Sequence, residues 1–324
     1  MLLFPEPADA AERVIGAEGR RLYRPAYAES GCGGKGQGAE MRRRDVLWSG
    51  AALVATQARA AGRVLPAIQA YEIASGGHIG IYAEHTRSGR TLVWRPNDRF
   101  VMCSSFKASL AALVLQRVDR RQDSLDDRMT FGPGDMQDWH APVARANLAR
   151  GVMTVGEMCA AAVEYSDNTC ASLLLERVGG PSAMTAFWRA LGDAVSRLDD
   201  PEPLLNRTPV GGVRDTTTPR AMATTLKKLA LGEVLSPRSR DVLNRWLIAN
   251  TTGDNRLRAG LPRAWTTGDK TGNNGSDAAA DLAVTWTPEA PIIIAAFTRG
   301  GSPTPAQIED VFRAVGQLVA ERFS

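Results

Sequence analysis

The spacing of apolar residues changes twice along this chain, and the changes divide it into a sheet-forming frame around a helical middle. From Arg63 to Ala74, Leu65, Ile68 and Ile73 mark an amphipathic helix, and Ser75-Gly76-Gly77 supplies its stop. Two strand-like runs follow, His78 to Ala83 and Thr91 to Trp94, flanking Arg87-Ser88-Gly89-Arg90, which is hairpin punctuation. Near the other end, Asp281 to Trp286 and Ile292 to Thr298 are two further strands, parted by Thr287-Pro288-Glu289-Ala290-Pro291. From Pro305 to Phe323, the residues Ile308, Val311, Phe312, Val315, Leu318 and Val319 fall on one stripe of a closing helix.

Between these ends the period is helical. Thr154-Val155-Gly156-Glu157 resembles a capping box opening a helix that runs to about Tyr165, and Gly179-Gly180-Pro181 closes one helix and starts another. The economical architecture is α/β of the α+β type: an antiparallel sheet built from both chain ends, flanked by the terminal helices, with an all-helical region inserted. Residues 61–324 then form one domain, with a sheet part at about 61–103 and 236–324 and a helical part at about 104–235. A cleft is expected at the boundary between the two parts.

With 324 residues, 44% of them apolar and 23% charged, the chain has the material for a large core, which excludes disordered and fibrous classes. The formal charge is +4, but beyond residue 60 thirty basic residues face twenty-eight acidic ones, so the balance gives no support to a nucleic-acid partner. At the amino terminus, Arg42-Arg43-Arg44 followed by an apolar run from Val46 to Ala55 and by Ala58-Arg59-Ala60 reads as a twin-arginine-like signal peptide over residues 41–60. Met41 stands where an initiator would, which makes residues 1–40 an upstream extension or a misassigned start. The mature protein is expected near Ala61 onward, periplasmic or secreted, with no membrane association once the leader is removed, since the run is too short to span a bilayer.

Cys32 would leave with the leader, so Cys103, Cys159 and Cys170 remain, an odd set in which at least one thiol stays free. The three histidines, His78, His85 and His140, have no metal-ligand spacing, so neither a metal nor an organic cofactor is expected.

Three short strings carry the chemistry. In Ser104-Ser105-Phe106-Lys107, Ser104 and Lys107 stand one helical turn apart, which puts a hydroxyl nucleophile beside an amine that burial can drive toward neutrality. Arginine could not do this, and the chain has only five lysines, two of which fall in these strings. Ser166-Asp167-Asn168 supplies a second hydroxyl able to pass a proton and an amide for a substrate carbonyl or N–H. Lys270-Thr271-Gly272 supplies a cation and a hydroxyl for a carboxylate, and a glycine that lets substrate lie against the backbone, leaving the Asn273 N–H as an oxyanion donor. Singly, each string is also ordinary cap or turn chemistry, with Ser104 as an N-cap and Lys107 solvated. Together and in this order they equip an acyl-transfer site, a grouping general to class A β-lactamases and penicillin-binding proteins.

Over residues 63–323 the chain resembles a class A serine β-lactamase. The discriminating segment is Arg197-Leu198-Asp199-Asp200-Pro201-Glu202-Pro203-Leu204-Leu205-Asn206, which matches the omega-loop pattern R-L-D-x-x-E-P-x-L-N that penicillin-binding peptidases lack. The resemblance implies a β-lactamase/transpeptidase-like fold, a monomer, and a small-molecule β-lactam substrate opened through a Ser104 acyl-enzyme. It implies that Glu202 deprotonates the hydrolytic water, that Asn206 orients it, and that the Glu202-Pro203 bond is cis. It makes Arg256 a further carboxylate ligand and places Trp139 or His140 as an aromatic gatepost. The rival readings are a D-alanyl-D-alanine peptidase and a β-lactam sensor that acylates once.

Some positions depart from the pattern. Asp200 stands where many members have an arginine that pairs with the aspartate closing the loop, here Asp215, and Arg197 or Arg207 are the candidates to replace it. Ala111 and Asn274 remove the disulfide partners that Cys159 and Cys103 have in many members and in the disulfide-bearing carbapenemases respectively.

Overall fold

The computed structural model describes residues 66–324, so the readings of residues 1–60 and of Leu65 lie outside the described residues. Helix α1 (66–75) leads into strands β1 (His78–His85), β2 (Thr91–Trp94) and β3 (Phe100–Val101). There follow α2 (Phe106–Asp119), β4 (Arg128–Thr130), α3 (Pro142–Ala146), β5 (Val152–Thr154), α4 (Val155–Glu164), α5 (Asn168–Arg177), α6 (Gly180–Ala190), β6 (Thr216–Thr217), α7 (Pro219–Ala230), α8 (Pro237–Ile248) and α9 (Leu257–Gly260). The chain closes with β7 (Thr266–Asn273), β8 (Ala279–Trp286), β9 (Ile292–Arg299) and α10 (Pro305–Phe323).

Both ends of the described chain do build one sheet. Its order is β2-β1-β9-β8-β7 and every junction is antiparallel. Side chains alternate across it with a period of two, as a pleated sheet buried on both faces requires. Ile79, Ile81, Ala83, Ile292, Ile294 and Ala296 face one way and pack with Ile308, Val311, Phe312, Val315 and Val319 of α10. Leu282, Val284, Ile293, Ala295 and Phe297 face the other way and join the core of the helical region. Thr154 and Glu157 close the capping box, each side chain accepting from the other's backbone N–H.

Two details differ from the expectation. Ile73 does not belong to the buried stripe of α1: it is 84% exposed, while Ile68 and Tyr71 are buried, because five residues along a helix turn a side chain well away from the face that three residues keep. The helical part also runs past residue 235, since α8 and α9 precede the return to the sheet at Thr266. The short pairings β3–β6 and β4–β5 hold too few residues to register as a period.

Candidate active site

The first site element is a tight 3₁₀ turn, Cys103–Ser105, that runs directly into α2. Met102 at its start is tied to the Asp215 carbonyl at 3.0 Å, and Ser105 folds back to donate to the Met102 carbonyl at 2.7 Å. Cys103 adopts φ 47°, a left-handed conformation that costs a non-glycine residue about 1–3 kcal/mol and aims the next residue. Across from this turn, β7 approaches so closely that a Cβ on Gly272 would stand 2.8 Å from the Met102 oxygen and 3.1 Å from the Ser104 nitrogen. The glycine therefore lets the strand and the Cys103–Ser105 turn touch, which is a different reason for it than room for substrate.

Lys107 is fully buried, so the reading as a solvated lysine is excluded, and Ser104 makes no capping bond. Its ammonium donates to the Ser166 carbonyl at 2.8 Å and to Asn168 Oδ1, and stands 3.6 Å from Glu202 Oε1. Among the described residues no hydrogen bond joins it to Ser104 Oγ. Burial pushes the Lys107 amine down from its ordinary value, against the opposing pull of the Glu202 and Asp167 charges.

Ser166 sits where the first turn after α4 meets α5, again in a left-handed conformation with φ 57°. Two lysines bracket it: Lys107 on its carbonyl, and Lys270, which donates to Ser166 Oγ at 3.0 Å and to the Thr271 carbonyl at 2.8 Å. Lys270 is also fully buried, and burial together with the Lys107 charge holds it well below the usual lysine range. Asn168 spends its Nδ2 on the Trp139 carbonyl at 2.7 Å, so part of the amide expected for substrate holds the cleft wall instead.

Glu202 comes from the loop between α6 and β6. Its carboxylate is buried, its peptide bond to Pro203 is cis, and Asn206 Nδ2 donates to Oε2 at 2.7 Å. Glu202 Oε1 and Asn206 Oδ1 are buried acceptors with no hydrogen-bond partner among the described residues. Neither Arg197 nor Arg207 replaces the missing partner of Asp215. Arg197 closes on Asp199 at 2.8 Å, and Asp215 instead accepts the backbone N–H groups of Asp199 and Asp200 at 2.8 and 2.9 Å.

The remaining candidates form the rim. Arg256 donates to the Gly272 and Ala280 carbonyls at 2.9 and 2.8 Å and lies over the Phe312 ring, which braces the ends of β7 and β8 beside the site. Trp139 is exposed and approaches the loop at Gly275, where a Cβ would stand 4.0 Å from its ring, so of the two aromatic candidates it faces across the cleft. His140 is turned aside, its Nε2 at 2.8 Å from the Tyr165 carbonyl. The Asn273 side chain accepts from the Gly275 N–H at 2.6 Å, and Thr271 exchanges a hydrogen bond with Thr252. Cys103, Cys159 and Cys170 are buried free thiols.

Two contributors had no clear place in the sequence reading. Asp167 accepts from Cys170 at one oxygen and from Val143 and Ala144 at the other, each at 2.9 Å, and so caps α5 and α3 together and fixes the Ser166 turn between them. Arg214 pairs with Asp200, and only its position next to Asp215 could have pointed to it.

Fold and site together define a serine hydrolase of the penicillin-recognising kind. The model of the β-lactamase enzyme family matches residues 64–323, and the chain belongs to that family. It is 44% identical to beta-lactamase L2 of Stenotrophomonas maltophilia, over 86% of this chain and 97% of that protein. It is also 44% identical to the carbapenem-hydrolyzing beta-lactamase KPC of Klebsiella oxytoca, over 76% of this chain and 84% of that protein. Among solved structures, an ancestral (GNCA) class A beta-lactamase is 48% identical with a TM-score of 0.77, over 80% of this chain and 100% of that one. A beta lactamase from Xanthomonas campestris is 41% identical with the same TM-score, over 81% and 97% of the two chains. The chain is thus a class A β-lactamase, an enzyme that hydrolyses β-lactams.

Proposed function

We propose that the hydrolysis runs through an acyl-enzyme on Ser104 and that Glu202 drives its breakdown. Ser104 Oγ attacks the lactam carbonyl and its proton passes to the Lys107 amine, which burial drives toward neutrality. The tetrahedral oxygen is held by the Ser104 and Asn273 N–H groups, a pairing supported by the close approach of neighbouring Gly272 to the Ser104 nitrogen. Ser166, bonded to Lys270, gives its hydroxyl proton to the departing lactam nitrogen as the C–N bond breaks and is reprotonated from Lys107, so the proton taken from Ser104 ends on that nitrogen. Lys270, Thr271 and Arg256 attract the substrate carboxylate, and Trp139 borders the entrance.

The observation that carries the reading is the pair of buried acceptors that take no hydrogen bond from a described residue, Glu202 Oε1 and Asn206 Oδ1, on side chains already joined at 2.7 Å. A water donating to both satisfies two groups whose burial otherwise costs about 1–3 kcal/mol each. Glu202 then removes its proton as it adds to the ester, and Ser104 leaves with a proton returned. A single-turnover sensor has no use for such a carboxylate, and a peptidase has no reason to pair it with Asn206. Export is part of the same proposal: the Arg42-Arg43-Arg44 leader supports it, and no helix among the described residues is long and apolar enough to cross a membrane.

Mass spectrometry of the purified protein with a penicillin and then a carbapenem tests the scheme. A transient adduct on Ser104, absent in Ser104→Ala and persistent in Glu202→Ala, is the expected result. Rapid turnover by Glu202→Ala removes Glu202 from the deacylating role.

A further inference from the structure

The neck of the loop that carries Glu202 is closed by an unusual arrangement of charge. Three carboxylates meet there, Asp199, Asp200 and Asp215, with two guanidiniums to answer them. Arg197 takes Asp199, and Arg214 grips Asp200 through two nitrogens at 2.6 and 3.2 Å. Asp215 is fully buried and forms no ion pair with any described residue, and one of its oxygens holds the N–H groups of both Asp199 and Asp200. The Asp215 N–H answers by donating to Asp199 Oδ2 at 3.1 Å. Burial, with the Asp200 charge adding to it, pushes the Asp215 carboxyl up to about 6.

We propose that Arg214 is a positioning residue for Glu202: by cancelling the charge of Asp200 it lets the buried Asp215 carboxylate keep its two N–H bonds across the neck of the loop. The reason is electrostatic. An unpaired Asp200 would set a second negative charge against a carboxylate that water cannot screen, and like charges at that range repel more strongly as the surroundings become less polar. Relief comes by parting the Asp200 N–H from Asp215. Asp200 is joined to Glu202 through Pro201 alone, so any shift there reaches the carboxylate that faces the ester. Ser104, Lys107, Ser166 and Lys270 stand on other elements, and the tie from the Met102 N–H to the Asp215 carbonyl does not involve the Asp200 N–H that parts.

This inference rests on Glu202 driving deacylation, and its consequence is confined to that step. Rapid-quench mass spectrometry with a penicillin separates the two half-reactions in the wild type, in Arg214→Gln and in the double variant Arg214→Gln/Asp200→Asn. The single variant should acylate at a rate within about twofold of the wild type and deacylate about fivefold more slowly, the size expected from losing a partly exposed ion pair. The double variant, which removes the stranded charge as well, should deacylate within about twofold of the wild type. Equal slowing of both steps, no slowing at all, or a double variant that stays slow each overturns the proposal. Failure of the Glu202 reading looks different: Glu202→Gln would then turn over like the wild type, whatever the neck variants do.

Discussion

Lys107 and Glu202 form a buried ion pair 3.6 Å apart, with side chains that are 0% and 1% exposed. Such a pair contributes little net stability, because the cost of taking both charges out of water offsets their attraction. Its placement between the Cys103–Ser105 turn and the omega loop fits the proposed scheme, in which one group receives a proton and the other activates water.

Glu202→Gln keeps the shape of that side chain and removes its basicity. Acylation should persist while deacylation falls by about 10²–10⁴-fold, the usual worth of a general base. Intact-mass spectra during turnover of a penicillin would show the adduct as the dominant species. A variant that remains largely free enzyme at steady state contradicts the role.

Lys270 should set a basic limb. Its amine is held well below the lysine range, so it loses its proton as pH rises past that lowered value, and with it the charge that attracts the substrate carboxylate. In Lys270→Arg the guanidinium stays protonated, so the fall of kcat/KM on the alkaline side should move to higher pH or vanish. An unmoved limb assigns the titration to another group.

Gly272→Ala places a methyl group 2.8 Å from the Met102 carbonyl and 3.1 Å from the Ser104 nitrogen, both of them backbone atoms that cannot swing aside. Strand and nucleophile turn must part, at a cost of about 1–3 kcal/mol. The expected outcome is a drop in acylation rate of about tenfold or more with a lowered melting temperature, measured by burst kinetics and calorimetry.

Much of this site was legible because its residues sit in short contiguous strings whose spacing matches a helical turn or a strand end. Ser104 with Lys107, Ser166 with Asn168, and Glu202 with Asn206 are each four residues apart or closer; of these, Asn206 bonds Glu202, while Lys107 reaches across to Asn168 and Glu202 rather than to Ser104 Oγ. The sheet was legible for a related reason, since Ile292 to Thr298 is a short continuous apolar run bounded by turn residues. What escaped was set by distant parts of the chain. Ile73 was misplaced because a short apolar stripe does not reveal which face meets the core. Arg214 and the double capping by Asp167 depend on loops that approach one another only after folding, and no local period encodes them.

Asp215 gives a stability test independent of catalysis. In the folded chain it holds its proton to about 6, against an ordinary 3.8. Between those values the unfolded chain releases a proton that the folded one keeps, so this group makes the protein less stable as pH rises from about 4 to 6, with no further change above. Asp215→Asn carries no charge at any pH. Its melting temperature relative to the wild type should therefore rise across that interval in paired calorimetric scans. A difference that stays constant from pH 4 to 8 shows that Asp215 does not titrate there.

The three buried thiols lead to a further expectation about how this protein matures. With Cys103, Cys159 and Cys170 all unbridged, no disulfide has to form or reshuffle for the described fold to be reached. Dithiothreitol should leave both its refolding rate and its heat resistance unchanged, and the same native state is accessible on either side of a redox boundary.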